Sequence, residues 1–165
     1  MAEQIAYRFD DVWGDKTPEV AEEIITFWLS EKALPTREAA EKRLEQVVYI
    51  VREPDNGAIV AVSTVYRQMN QRLGHPFYYF RCFVTEAHRR QLLAAQLLVK
   101  IRDKFNARFL AGEDPKAIGM IVEVENQALN ERHRKAVWDH SGFVFIGYNQ
   151  RSQQVRVFYF DGARI

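Results

Sequence analysis

The stretch Phe83-Val84-Thr85-Glu86-Ala87-His88-Arg89-Arg90-Gln91-Leu92-Leu93-Ala94-Ala95-Gln96-Leu97-Leu98 decides how this chain is read. It opens on the end of a strongly aromatic, β-rich run, Phe77 to Val84. It closes in a segment that carries Leu93, Leu97, Ile101 and Phe105 at helical spacing. A strand therefore runs through a short turn into a helix, predicted over His88 to Phe109. N–H groups at a helix start lack intrahelical acceptors, and the aligned peptide dipoles add partial positive charge there. Such a start can hold a phosphate or pyrophosphate, and Arg89 and Arg90 can add charge-assisted hydrogen bonds. The plainer alternative is a helix whose solvated first turn happens to carry arginines.

Upstream, Gln4 to Phe9 suggests a short first strand. Thr17-Pro18 follows as an N-cap with proline at the first helical position, where its missing N–H costs nothing. Val20, Ile24, Phe27 and Trp28 form one apolar stripe, and Pro35 stops that helix. Thr36 can cap a second, mostly charged helix, Arg37 to Glu45. Val47 to Arg52 and Ala58 to Tyr66 are β-rich runs joined by Pro54-Asp55-Asn56-Gly57, a tight-turn signal, and so predict an antiparallel hairpin. Gln68 to His75 is polar and is expected to be a loop. Downstream, Ala117 to Val124 is a strand and Asn126 to His140 a helix ended by Ser141-Gly142. Phe143 to Tyr148 and Gln154 to Phe160 form a closing hairpin. The order is strand, two helices, three strands, helix, strand, helix, two strands. It predicts an α/β fold: one domain over residues 1–165 with a mixed, twisted sheet of about seven strands and helices on both faces.

Composition sets limits on function. The chain has 165 residues, 47% hydrophobic and 27% charged, with a formal net charge of +1. That balance lacks the basic excess of a general nucleic-acid binder, so no nucleic acid is expected as partner. No run approaches the roughly 18 apolar residues of a membrane span, and Met1 to Asp11 lacks an apolar run of signal-peptide length. The expectation is a cytoplasmic protein with no membrane partner. Cys82 is the single cysteine, which excludes an internal disulfide and a cysteine-rich metal site. It reads as a buried structural residue, since no neighbour in sequence would lower its pKa. His75, His88, His133 and His140 show no spacing typical of metal ligands, so no metal is expected.

Glu123 and Glu125 sit two apart at the C-terminal end of a strand and face the same side. Ligands of open α/β sheets gather at that end, so either glutamate is a candidate general base. The plainer reading is a solvated strand end, with Glu125 complementing the dipole of a helix capped by Asn126. Phe77 and Tyr79 alternate with Tyr78 and Phe80, which predicts core on both faces of a central strand rather than a stacking platform. Arg132, Arg134 and Lys135 make a modest basic cluster on the helix after Asn126. Phe158-Tyr159-Phe160 could pair edge to edge with a second copy, which makes a homodimer possible.

The element order and the opening segment resemble the GNAT superfamily of acyl-CoA-dependent N-acyltransferases. That family has a strand ending in valine, a turn, and then arginine or glutamine followed by x-x-Gly-x-Gly/Ala at the start of its main helix. Here Arg89 falls on the first position and Ala94 on the last, while Leu92 stands where the family has its first glycine. The downstream strand, asparagine-containing helix and small-residue-Gly-Phe ending are matched by Val122 to Phe143, and the final hairpin fits as well, so the resemblance covers nearly the whole chain. It implies acetyl-CoA, or another acyl-CoA, as cosubstrate. The pyrophosphate would rest on the backbone amides of Gln91, Leu92, Leu93, Ala94 and Ala95 beside Arg89 and Arg90. The pantetheine would run along Phe83 and Val84. The 3′-phosphate could meet Arg132, Arg134 and Lys135. Glu123 and Glu125 would be base candidates, and Trp28, Tyr66 and Tyr79 would border a small-molecule or peptide amine acceptor. Trp138 stands where many family members place a tyrosine that protonates the departing thiolate, and indole N–H does not do this. The resemblance thus implies an N-acyltransferase that works by direct transfer to an unidentified amine. The alternative is a catalytically inactive GNAT-like binding or interaction module.

Overall fold

The computed structural model of the chain describes residues 6–165. Seven strands lie in the order β1-β2-β3-β4-β5-β7-β6. Their ranges are β1 Arg8–Asp11, β2 Val47–Arg52, β3 Ile59–Asn70, β4 His75–Val84, β5 Gly119–Glu123, β6 Val144–Tyr148 and β7 Gln154–Tyr159. The helices are α1 Pro18–Ser30, α2 Arg37–Arg43, α3 Leu93–Leu110 and α4 Gln127–Arg132. The β4–β5 pair is parallel, while β1–β2, β2–β3, β5–β7 and β6–β7 are antiparallel. This is the mixed α/β sheet expected from the element order. Contacts gather into two compact units: residues up to Val65 with Cys82–Leu97, and Tyr66–Arg81 with Leu98–Ile165.

In the first unit, Thr17 caps α1 by accepting a hydrogen bond from Val20 N (3.2 Å), and Thr36 caps α2 through Ala39 N (3.1 Å). Each cap satisfies an orphan donor and contributes about 1 kcal/mol. The α1 stripe buries Ile24, Ile25, Phe27 and Trp28 in a cluster with Leu34, Ala40, Val47, Ile50 and Val62. At the β2–β3 turn, Gly57 takes a positive φ of +70°, which is why the Asn-Gly signal closes an antiparallel hairpin there. Arg52, almost buried on β2, donates to Glu23 (Nη2–Oε1 2.8 Å), Asp10 (3.1 Å) and the Gly57 carbonyl (2.9 Å).

In the second unit, Tyr78 points from β4 onto Phe105 of α3, with ring centroids 4.6 Å apart. Phe77 and Tyr79 point the other way into a cluster with Ile121, Val155 and Val157. Core on both sides of β4 is what the alternation predicts. Tyr78 also hydrogen-bonds Asp114, and burial pushes its phenol well above its ordinary pKa.

Several boundaries differ from expectation. The first strand starts at Arg8, paired with Arg52; Gln4 and Ile5 lie outside the described residues. The loop expected from Gln68 to His75 is narrower, a four-residue turn over 71–74 between two strand ends. β3 runs to Asn70 and β4 begins at His75, because Asn70 accepts from Leu73 N (2.9 Å) and Gly74 N (2.7 Å), and Gly74 at φ +71° closes the turn. Polarity there marks the turn and the exposed strand ends on either side of it. The helix expected from Asn126 to His140 stops at Arg132. Residues beyond it pair with β6 through a Val137–Val144 bridge and a Phe145 N to Ala136 O bond (2.8 Å). Trp138, Arg134 and Lys135 are therefore not helical, and Lys135 is paired with Asp139 (2.6 Å). β7 lies between β5 and β6, so Phe158-Tyr159-Phe160 is no free edge for a second copy. Cys82 is half-buried rather than fully enclosed. Among the described residues no helix is long and apolar enough to cross a membrane.

Candidate functional site

The segment between β4 and α3 lies within the first unit and departs from a simple helix start. Glu86–Gln91 form a 3-10 turn, begun by a His88 N to Thr85 O bond of 3.0 Å. Leu92 then adopts the left-handed conformation, φ 57° and ψ 27°, and α3 begins at Leu93. The helix therefore starts five residues after the expected His88 (93 against 88). A left-handed residue breaks the helical path, so the turn and the helix cannot be one element. The first α3 bond runs from Gln96 N to Leu92 O (3.1 Å). That leaves the amides of Leu93, Ala94 and Ala95 at the helix start without intrahelical acceptors.

Leu92 holds the backbone conformation that glycine adopts freely, although it carries a side chain. That side chain is 70% exposed and so does not belong to the core. Two bonds brace the bend. Arg89 Nε donates to Val84 O (3.1 Å), and Gln96 Nε2 donates to Gln91 O (3.1 Å). The Arg89 guanidinium also lies 5.7 Å from the Phe83 ring centroid, and that ring packs edge-on against Phe27. Arg89, Arg90 and Gln91 are exposed, Ala95 is exposed, Ala94 is half-buried, and Leu93 and Val84 are buried. Tyr7 Oη and His88 Nδ1 are 2.6 Å apart across the same turn.

The second unit holds a cavity of about 420 Å³ at the C-terminal end of β5. Glu123 and Glu125 line it together with Tyr66 and Tyr79. Glu123 ends β5, and Glu125 lies two residues beyond the strand. The Tyr66 and Tyr79 rings stack at 5.3 Å and 20°, and the Arg81 guanidinium sits 4.4 Å above the Tyr66 ring. Burial raises the pKa of Tyr79, and the charge of Glu123 raises it further, while a hydrogen bond with Asn70 works against this. The other wall is the β6–β7 turn. Asn149 donates to Glu123 and to Gln153 (2.8 Å), and its Oδ1 accepts from Arg151 N and Gln153 N, both 3.0 Å.

Trp28 does not join this cavity. It is 3% exposed in the first unit's core, because the α1 stripe that its spacing announced faces inward, so it has no surface to offer an acceptor. Asn149, Arg151 and Arg81 were not singled out from sequence. The turn residues reach the glutamates only because β7 pairs with β5 in the register Glu123↔Val155, and no local signal carries that pairing.

Trp138 donates its indole N–H to His133 O (3.4 Å). Its ring is covered by the Arg156 guanidinium at 4.2 Å. Arg156 is 1% exposed and donates to the carbonyls of His133 (3.0 Å) and Ala136 (3.3 Å) and to Gln154 Oε1 (2.7 Å). Burial lowers its pKa. Asn126 caps α4 through Leu129 N (3.3 Å), with Glu125 just before it. Among the described residues no group of three His, Cys, Asp or Glu is placed to hold a metal ion.

At the level of sequence, no family model and no curated protein matches the chain. Solved structures do. A GNAT-family acetyltransferase from Streptococcus pneumoniae superposes with a TM-score of 0.55 at 16% identity, covering 92% of this chain and 96% of that one. NAA60 of Arabidopsis thaliana, solved with acetyl-CoA, gives 0.62 at 12% identity, over 93% and 99%. AtaT, solved with acetyl-methionyl-tRNAfMet, gives 0.55 at 14% identity, over 93% and 95%. These matches span nearly all of every chain involved, and they establish that this protein has the GNAT acetyltransferase fold.

Proposed function

We propose that the chain is an acyl-CoA-dependent N-acyltransferase, using acetyl-CoA as donor and an amine as acceptor. The observation that carries this reading is the backbone at Leu92. A leucine is held at φ 57° directly before an 18-residue helix, where the resemblance expects glycine, and the first amides of that helix lack intrahelical acceptors. Non-glycine residues in this region cost free energy and persist where the surroundings over-determine them. The residues present fit a pyrophosphate. Leu93, Ala94 and Ala95 offer backbone N–H groups, only methyl side chains follow Leu93, and the exposed Arg89 and Arg90 supply positive charge. Phe83 and Val84 would flank the pantetheine.

Bound acyl-CoA supplies an activated thioester. The chain's own part is to hold the amine, accept its proton and exclude competing geometries. As the amine nitrogen bonds to the carbonyl carbon and the C–S bond breaks, the nitrogen gives up a proton, for which Glu123 and Glu125 are the base candidates. The departing sulfur takes a proton from solvent or from the acceptor, since Trp138 has its N–H committed to His133 O. The fold leaves the acceptor open: AtaT was solved with an acetylated aminoacyl-tRNA, so a nucleic-acid-borne amine belongs in the acceptor panel beside small amines and peptides.

Calorimetry with acetyl-CoA and with CoA tests the donor half, and absence of binding at millimolar ligand ends this reading. The engagement of Trp138 favours a second reading, a GNAT-like module that binds without catalysis. Acetylated product from any amine, seen together with CoA binding, excludes it.

A further inference from the structure

Resting on the acyltransferase reading, we infer that the acceptor amine carries a neutral oxygen, a hydroxyl or a carbonyl, on the carbon frame beside its nitrogen. The cavity at the end of β5, about 420 Å³, is of the size that encloses small molecules. The hydrogen bonds in its walls decide which chemistry it takes. Tyr79 lines it and is 6% exposed. The Tyr79 oxygen accepts from Asn70 Nδ2 (3.1 Å). That direction is fixed, because Asn70 Oδ1 faces Leu73 N (2.9 Å) and turns the NH2 end of the amide to the phenol. The phenol oxygen is therefore the acceptor in this bond, and its own O–H has no acceptor among the described residues. Burial raises the pKa of the phenol and the charge of Glu123 adds to this, so Tyr79 keeps its proton and meets a ligand as a donor.

Gln153 is oriented by the same logic. Asn149 donates to the Glu123 carboxylate, which only accepts, so the NH2 end of Asn149 also faces Gln153, and that bond ends on Gln153 Oε1 (2.8 Å). The Nε2 of Gln153 is then a second donor with no acceptor among the described residues. Two neutral donors thus share the cavity with two carboxylates. Glu123 has a neutral partner in Asn149, and Glu125 has no hydrogen bond or ion pair among the described residues. The ammonium of any amine answers the carboxylates. A plain alkylamine does nothing for the donors and would seal the buried Tyr79 O–H away from water without a bond, which is costly. An amine with an oxygen on its frame meets both sets, and a site built to bond such a group rejects the analogue that lacks it. Neither guanidinium of the cavity calls for an anion instead. Arg81 is engaged over the Tyr66 ring, and Arg151 stands on an exposed turn where water solvates it.

The test measures CoA release and product mass with acetyl-CoA and amines matched in shape, with kcat/KM expressed per unprotonated amine. Ethanolamine is set against propylamine, and glycinamide against isobutylamine and against free glycine. The expected result is a kcat/KM at least about tenfold higher for the oxygen-bearing member of one or both pairs. The pair with the larger ratio tells hydroxyl from carbonyl. Tyr79→Phe removes only the O–H and narrows that ratio to about threefold or less, through KM. Gln153→Met narrows it in the same direction should the Tyr79 variant not fold. Equal or better turnover of the alkylamines overturns the inference, and so does a ratio that neither variant changes. Faster turnover of glycine than of glycinamide also overturns it, since the preferred group would then be an anion. If acetyl-CoA binds and no amine of either pair is acetylated, the neutral-oxygen acceptor is wrong while the donor assignment stands. If acetyl-CoA does not bind, the acyltransferase reading itself falls.

Discussion

Replacing Leu92 by glycine and by valine measures how much the left-handed bend costs. An L-residue in this conformation is disfavoured by about 1–2 kcal/mol, and glycine removes that penalty. Glycine also returns about 0.5–1 kcal/mol of freedom to the unfolded chain. With Leu92 70% exposed, losing its remaining contacts costs about 0.5 kcal/mol, a third of the lower figure for burying leucine. The net effect of Leu92→Gly therefore lies between about 0.5 kcal/mol of destabilisation and about 1 kcal/mol of stabilisation. Valine, branched at Cβ, tolerates positive φ worse than leucine, so Leu92→Val loses about 1 kcal/mol or more. Urea unfolding followed by circular dichroism gives both values, with the m-value unchanged if only stability moves. For a chain of this length a separation of about 0.5–2 kcal/mol puts the two variants about 1–8 °C apart in Tm. A glycine variant destabilised by more than about 1 kcal/mol would refute the strained backbone, and so would a valine variant equal to the parent. CoA affinity is read on the same samples. Since the backbone already has the glycine conformation, Leu92→Gly is expected to keep or tighten binding, and a large loss would show that the leucine side chain itself contacts the ligand.

Four further outcomes follow from the geometry. If one glutamate is the base, Glu123→Gln or Glu125→Gln lowers kcat by about 100-fold or more with KM less affected, and steady-state kinetics identify which. Asn149→Ala releases the Glu123 carboxylate from its hydrogen bond and opens the turn at Arg151 and Gln153, so kcat falls with KM less affected, whereas a purely structural role would change only the melting curve. Arg156→Met strands the carbonyls of His133 and Ala136 and uncovers Trp138, costing about 3 kcal/mol in urea unfolding, in line with charged hydrogen bonds lost inside a protein. Finally, the hydrogen bond from Arg52 holds Glu23 below the ordinary carboxylate range. Its stabilisation is therefore complete above the unfolded value of about 4.3 and fades as pH falls through the depressed folded value. Tm measured from about pH 6 down to about pH 3 should fall more steeply in the parent than in Arg52→Gln.

What the sequence announced depended on how local the cause was. The β2–β3 hairpin needed only Asn56-Gly57, and the two capped helices needed only Thr17 and Thr36, so each was legible residue by residue. The expectation that Glu123 and Glu125 share one side rested on a period of two, whereas β5 ends at Glu123 and both residues nonetheless line the cavity. The helix after Asn126 was over-extended because its end is set elsewhere. Arg156, on β7, takes the carbonyls of His133 and Ala136, and Val137 is drawn into a bridge with Val144. No window around residues 126–140 contains either partner. The turn that completes the cavity was missed on the same ground, since Asn149 reaches Glu123 only through the β5–β7 pairing.

Leu92 separates residue identity from backbone conformation. Judged by identity, the cradle motif has lost its first glycine, and with it the freedom that lets backbone approach a phosphate. Judged by conformation, nothing has been lost: φ is 57°, the side chain points to solvent, and the helix begins on the next residue. The bend is held from both sides, by Arg89 on the Val84 carbonyl and by Gln96 on the Gln91 carbonyl. Glycine permits a left-handed residue, whereas leucine must be forced into one, and those two bonds supply the constraint. It follows that Arg89 has structural work before any ligand arrives. An Arg89→Ala variant should relax the bend, so its loss of CoA affinity should exceed that of Arg90→Ala, whose side chain is exposed at the same turn. Replacing Leu92 with glycine in the Arg89→Ala background should recover part of that loss, because glycine needs no forcing. If the double variant binds no better than Arg89→Ala alone, Arg89 acts on the ligand through its charge and not through the bend.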